Sequence, residues 1–272
     1  MGTLGSILKD NWEWRGQIFN LAIFDLKKKA RGAVLGWAWL LIKPTIYMAV
    51  FCFALAIGLR GGGGDPTSYP YFMWLISGLT PWFFMEEMIG SGSDALHKYP
   101  YLVNKMKFPL SGISTLYALS NFIINLALMV ILLIVYVAVG MPIDIYLLQI
   151  PIIMLLMFVF FDFFSILCSQ LSAISRDFSN MMKILAMLLF WVSGIIFDTS
   201  NLVEMGFGWF DTAMLFNPVT FFCAAIRGAT CTKTFFWDDP ALLGCFAIVF
   251  VLTVVMATIV YKRFNEEVAD VL

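Results

Sequence analysis

The chain has 272 residues, of which 61% are hydrophobic and 13% charged, against about 45–50% apolar and about 25% charged in soluble domains. With a mean hydropathy of +0.88, this composition excludes a soluble protein and indicates an integral membrane one. A formal net charge of −1 argues against a nucleic-acid partner held by bulk positive charge, and five Cys with a single His, none at metal-ligand spacing, argue against a zinc site or a disulfide scaffold.

Residues 8–31, LKDNWEWRGQIFNLAIFDLKKKAR, set Leu8, Trp12, Ile18, Leu21, Ala22 and Leu26 near helical spacing and end on Lys27, Lys28, Lys29 and Arg31. That is the pattern of an amphipathic helix lying in a membrane interface. It suits a passive anchor as well as a helix bordering an entry path. A spanning helix needs about 20 apolar residues, and six runs supply them: 35–58, 70–90, 113–139, 147–173, 181–198 and 241–261. The first follows a charged stretch and has no small-residue cleavage site, so no leader is expected to be removed. Residues 59–69 carry four glycines and read as a turn. The 93–109 loop places Leu96, Tyr99, Tyr101, Leu102 and Met106 among basic residues, a composition suited both to docking on another protein and to a plain solvated loop. Residues 199–240 are too apolar for a solvated loop and too broken to span, so helices that dip back into the bilayer are expected there. Cys223 and Cys231 fall in this stretch, and their spacing alone establishes no disulfide.

Orientation follows from the basic residues, which are retained on cytoplasmic flanks. With the N-terminus inside, Lys9, Arg15, Lys27, Lys28, Lys29, Arg31, Lys43, Lys98, Lys105, Lys107, Arg176, Lys183, Lys262 and Arg263 are cytoplasmic, and only Arg60, Arg227 and Lys233 face out. Both termini are therefore expected in the cytoplasm. Within the spans, Tyr117, Asn121 and Asn125 share one face of the third, and Asp162, Ser165, Ser169 and Ser172 share one face of the fourth. These two stripes are expected to meet, as packing glue or as a proton relay. Aromatics at Trp37, Trp39, Trp74, Trp82 and Phe83 suit an interfacial belt or stacking on sugar rings.

The chain has no phosphate-binding glycine loop, no HExxH, no GxSxG and no dinucleotide fingerprint. Uphill transport would then draw its energy from a partner ATPase, with the 93–109 loop as the docking element.

RGAVLGWAWLLIKP at 31–44, GLTPWFF at 78–84, NKMKFP at 104–109, SRDFSNMMKILAMLLFWVSGIIF at 175–197, NPVTFFCAAIRG at 217–228 and the C-terminal VADVL each resemble stretches of bacterial polysaccharide and polyol-phosphate export permeases. These are the membrane subunits of ABC exporters for O-antigen, capsule and wall teichoic acid, and the similar stretches run in the same order over nearly the whole chain. The resemblance implies an all-α fold of six transmembrane helices, with 8–31 as a gate helix and 199–240 as a re-entrant pair. It makes 93–109 a coupling helix for the ATPase, with His97, Lys98, Tyr99, Tyr101, Asn104 and Lys105 in that contact and Arg176 and Asp177 supporting it. It implies a homodimer with two ATPase subunits in a bacterial inner or plasma membrane, ATP and Mg being held by the partner and no cofactor by this chain. The implied cargo is a glycan or teichoic acid on undecaprenyl diphosphate, attracted by Lys27, Lys28, Lys29 and Arg31 and passed along Trp37, Trp39, Trp74, Trp82 and Phe83. The competing readings are an ABC exporter of lipid or drug, disfavoured by the short 59–69 connection, and a membrane enzyme acting on lipid-linked sugars, for which Asp238 and Asp239 lack supporting motifs.

Overall fold

The computed structural model describes residues 2–32, 34–59, 69–102, 108–197 and 208–271. Every regular element among them is helical. In chain order these are α1 (Thr3–Glu13), α2 (Arg15–Lys29), α3 (Ala38–Phe51, continued as a π-helix over Cys52–Leu59), α4 (Tyr71–Ile89), α5 (Ala95–Lys98), α6 (Leu110–Ala138), α7 (Ile150–Ile174), α8 (Arg176–Val192), α9 (Gly208–Leu215), α10 (Pro218–Arg227) and α11 (Pro240–Val271).

Four stretches are long and apolar enough to cross a membrane: Ala38–Leu55, Leu110–Ala138, Ile145–Ile174 and Pro240–Phe264. A fifth is possible where Gly208–Leu215 meets Pro218–Thr232 at 89°. The segments 70–90 and 181–198 hold α4 and most of α8, of 19 and 17 residues.

Local chemistry sets the helix ends. Asn217 caps α10 by accepting the Val219 N–H at 3.0 Å, with Pro218 in the first turn where no donor is needed. Asp239 does the same for α11, accepting from Ala241 and Leu242 at 3.0 Å each. Gly140 and Gly194, at φ +80° and +69°, supply the left-handed residue that ends α6 and α8. The run 8–31 is not one helix: α1 begins at Thr3 and the chain breaks at Trp14, whose φ −92°, ψ 6° leaves the α region. Trp14 packs edge-on against Phe108 at 5.1 Å, which anchors the break.

α4 is the hub, packing against α6, α7, α8 and α10 and burying Met73, Leu75, Leu79, Trp82, Phe84, Met85 and Met88 almost completely. α10 is drawn into the core by an aromatic cluster in which Phe221 stacks on Phe246 of α11 at 4.0 Å, with Phe160 and Phe161 of α7 around Phe222. This explains the apolar character of a segment too short to span. α3 is peripheral, with only 6% of its span buried. α2 lies along α6, and α1 touches both α6 and α11. Each leaves large apolar side chains outward, among them Leu8, Trp12, Phe19 and Phe24.

Candidate functional site

Elements from four parts of the chain converge on a polar network at one end of the bundle. Asp25 of α2 is 5% exposed. Its carboxylate accepts the Tyr99 hydroxyl and Ser120 Oγ, the latter at 2.8 Å, and pairs with Lys29 Nζ at 3.2 Å, one turn along α2. Lys29 also donates to Asn121 Oδ1 at 2.8 Å, and its side chain is only 26% exposed. Two ammonium groups lie over the Tyr117 ring, Lys29 Nζ at 5.0 Å and Lys98 Nζ at 4.0 Å from its centre. Lys98 donates to the Tyr117 hydroxyl at 2.7 Å, and that hydroxyl donates to Glu87 of α4.

Burial opposes the charge on Asp25, but Lys29 and the bonds from Tyr99 and Ser120 outweigh it and hold the carboxyl below its ordinary value. Lys98 is exposed as a residue, but desolvation of its ammonium against the Tyr117 ring lowers it to about 8 in spite of Glu87. Burial together with the Asp25 carboxylate pushes the Tyr99 hydroxyl up.

Beside this network a cavity of about 440 Å³ opens between α2, α3, α4 and α6, lined by Lys29, Lys43, Tyr47, Phe83, Glu86, Glu87, Asn121 and Asn125. A smaller polar hollow of about 290 Å³ lies between α5 and the start of α8, lined by Asp94, His97, Arg176 and Lys183. His97 is held by Asp94 at 3.0 Å. Arg176, Asp177, Lys98 and Tyr101 are exposed at this end, whereas Tyr99, read from sequence as a partner contact, is 4% exposed with its hydroxyl turned inward. Asn104 and Lys105 lie outside the described residues. Lys27, Lys28 and Arg31 are exposed; Lys29 is the member of that basic cluster committed to the network.

The five aromatic candidates separate. Trp37 and Trp39 are exposed at 48% and 38%. Phe83 reaches the larger cavity, edge-on to Tyr47 at 5.9 Å. Trp82, only 1% exposed, packs against Phe190 at 5.6 Å and is a core residue in this conformation. Trp74 lies at the opposite end under the Arg227 guanidinium, 3.3 Å from its ring centre, and helps line a further cavity of about 430 Å³.

The two polar stripes do not meet as the sequence suggested. Tyr117, Asn121 and Asn125 face α2 and α4, Asn125 donating to the Thr80 carbonyl at 2.7 Å. The α7 stripe is met instead by Ser114, 3.0 Å from Ser169, and by Thr115, which donates to Asp162 at 3.1 Å. Ser165 and Ser172 turn to Gly92 and Asp94. The third span has polar residues on two adjacent faces, and the four-residue stripe concealed the second. Asp25 escaped the sequence reading altogether; its i,i+4 spacing to Lys29 was the available signal. All five Cys are free, and among the described residues no group of His, Cys, Asp and Glu is placed to hold a metal ion.

Relatives align with this chain over nearly their whole length. The chain is 23% identical over 271 residues to the O-antigen export system permease protein RfbA of Myxococcus xanthus, covering 97% of this chain and 98% of that protein. It is 26% identical over 267 residues to an O-antigen export system permease protein RfbA of Klebsiella pneumoniae, covering 92% and 96%. Residues 16–231, which include α2, the network, both larger cavities' principal walls and α10, match the ABC-2 type transporter model. A multi-pass membrane chain matched over this much of its length belongs to the ABC-2 type transporter family.

Proposed function

We propose that the chain is the membrane subunit of an ATP-driven ABC exporter that moves a polysaccharide, carried on undecaprenyl diphosphate, from the cytoplasm across the inner or plasma membrane. O-antigen is the polymer that the relatives' names favour, ahead of teichoic acid. In this reading α3, α4, α6, α7, α8 and α11 are six spans, α9 and α10 are a re-entrant pair on the outer side, and both termini are cytoplasmic. Two copies line one channel and bind two ATPase subunits, which hold the ATP and Mg.

The observation that carries the mechanism is the Asp25–Tyr99 hydrogen bond, which ties α2 to the residue that caps the end of α5. An ATPase pressing on exposed Lys98 and Tyr101, with Arg176 and Asp177 of α8 beside them, moves the end of α5, whose Tyr99 and Lys98 hold α2 and α6. Motion there therefore acts on α2 and the cavity beside it without an intermediate domain. Exposed Lys27, Lys28 and Arg31 gather diphosphate at the membrane surface, each basic residue being worth about 1 kcal/mol near anionic lipid. Asn104 and Lys105, which lie outside the described residues, belong to the same proposed ATPase contact, and exposed Trp37 and Trp39 at the start of α3 belong to the proposed cargo path.

Co-expression with its partner ATPase tests this. The ATPase is expected to co-purify with the wild type, and Arg176→Glu with Tyr101→Ala should reduce the yield of complex about tenfold or more while leaving the permease in the membrane, a loss typical of interface residues that anchor a contact. Undiminished co-purification of that double variant would remove 93–109 and Arg176 from the contact.

A further inference from the structure

The 440 Å³ cavity beside the network is within the range of about 300–1,000 Å³ that small-ligand sites occupy, and its chemistry is not that of a phosphate site. Two lysines line it, yet Lys29 is already engaged by Asp25 and Asn121. Two carboxylates, Glu86 and Glu87, share the same wall, one helical position apart on α4. A diphosphate entering here would meet as much negative as positive charge. The remaining groups suit a ligand that donates and accepts hydrogen bonds without carrying charge.

Asn125 is the most telling of them. It is 1% exposed, and its Nδ2 must face the Thr80 carbonyl, which accepts at 2.7 Å. Its Oδ1 is then left as a buried acceptor on a residue that lines the cavity, and it has no hydrogen-bond partner among the described residues. An unmet acceptor at membrane depth costs free energy unless something donates to it. Glu86, exposed, offers a second acceptor, and Lys43 a donor. Tyr47, 46% exposed, and Phe83 stand edge to face at 5.9 Å and present ring surface to the same space. Acceptors, a donor and aromatic faces around one hollow match a pyranose, whose hydroxyls point outward and whose C–H faces lie on aromatic rings.

We infer that this cavity is a glycosyl subsite: it receives the first sugar of the lipid-linked cargo, with Asn125 and Glu86 accepting from its hydroxyls and Tyr47 and Phe83 against its ring, while the diphosphate stays at the exposed Lys27, Lys28 and Arg31. This rests on the proposed function, and it divides recognition between a neutral pocket and a basic surface one turn away on α2.

The test uses the intact transporter with its ATPase in lipid nanodiscs and two fluorescent probes, a short polyprenyl diphosphate and the same lipid carrying one hexose. The wild type should bind the glycosylated probe about tenfold more tightly, the worth of one or two well-made hydrogen bonds. Asn125→Leu should remove most of that preference and Glu86→Gln, whose remaining carbonyl is a weaker neutral acceptor, should reduce it, each with little change for the bare diphosphate, and Lys27→Glu with Lys28→Glu should weaken both probes alike. Glu86→Gln is at an exposed position, so it reports even if Asn125→Leu folds poorly. Retention of the full preference by Glu86→Gln and by Tyr47→Leu overturns the subsite. So does tighter binding of the bare diphosphate by Glu86→Gln, which would place the phosphate in the cavity. Wild-type binding of neither probe overturns the entry reading itself, and the subsite with it.

Discussion

Asp25 joins three residues that are far apart in sequence, and its removal has a calculable consequence. Asp25→Ala leaves Lys29 Nζ, Tyr99 and Ser120 without their shared acceptor. Removing one partner of a fully buried ion pair costs about 3–5 kcal/mol; Lys29 retains 26% side-chain exposure, so about 2 kcal/mol is expected here, read as a lower midpoint in thermal unfolding in detergent. Tyr99→Phe removes one bond and should cost about 1 kcal/mol. The pH dependence has a definite sign. Because the folded carboxyl titrates below its ordinary value, its stabilisation is complete above the unfolded value of about 3.9 and is lost as pH falls through the folded one. The stability gap between wild type and Asp25→Ala should therefore stay constant from neutral pH down to about 5 and close only below about 4. A gap that closes near neutrality, or none at all, would show that Asp25 is not held ionised by Lys29. The sequence shows the Asp25–Lys29 spacing on one helix face, but it carries no sign of Tyr99, which is 74 residues away. A hydrogen bond between distant elements depends on how helices dock, and no periodicity encodes that.

Helix placement was legible because hydropathy along a chain is a local property, and the six apolar runs contain α3 and α4 and overlap most of α6, α7, α8 and α11. What was not legible is how helices pack, as the join between α4 and α10 illustrates. Arg227, read from sequence only as an outward-facing charge, is 8% exposed. It donates to the carbonyls of Trp74, Gly194 and Ile195 at 3.1, 2.7 and 2.5 Å, and so pins the turn that follows α8 to α4. This geometry requires Gly78 on α4, where an added Cβ would overlap the Arg227 guanidinium and stand 3.1 Å from the Ile195 carbonyl. Three carbonyl bonds prevent the guanidinium from moving aside. Gly78→Ala is therefore expected to destabilise by about 1–3 kcal/mol through overpacking. Arg227→Met should destabilise as well, by leaving those carbonyls unpaired. Combining them should cost less than the sum, because the methyl group then meets a flexible thioether. Thermal unfolding of the three variants measures this, and strict additivity would mean that the two residues do not press on one another.

At the scale of the whole molecule, α6 acts as a ruler for the membrane. Near its start the Tyr117 hydroxyl accepts Lys98, and near its end the Tyr136 hydroxyl accepts Lys233 at 2.5 Å, with Lys233 also paired to Asp144 at 2.8 Å. The two tyrosines are 19 residues apart in one unbroken helix, a rise of about 28 Å at 1.5 Å per residue, close to the roughly 30 Å of bilayer hydrocarbon. A lysine bonded to a tyrosine hydroxyl at each end is the arrangement expected of two interfaces, where amphipathic rings and snorkelling ammonium groups settle. The basic surface of α2, α5 and α8 belongs to the Tyr117 end, and Asp144, Asp238 and Asp239 to the Tyr136 end. Because positive charge is retained in the cytoplasm, the Tyr117 end should be inside. In a variant whose five free cysteines are replaced, Tyr101→Cys and Trp237→Cys introduce single thiols at positions 42% and 48% exposed. A membrane-impermeant maleimide should label Trp237→Cys in intact spheroplasts, and Tyr101→Cys only after the membrane is opened. Labelling of both from one side would mean that α6 does not cross the bilayer. Labelling in the reverse order would invert the topology, placing the basic surface, the glycosyl cavity and the proposed ATPase contact where no cytoplasmic ATPase reaches them.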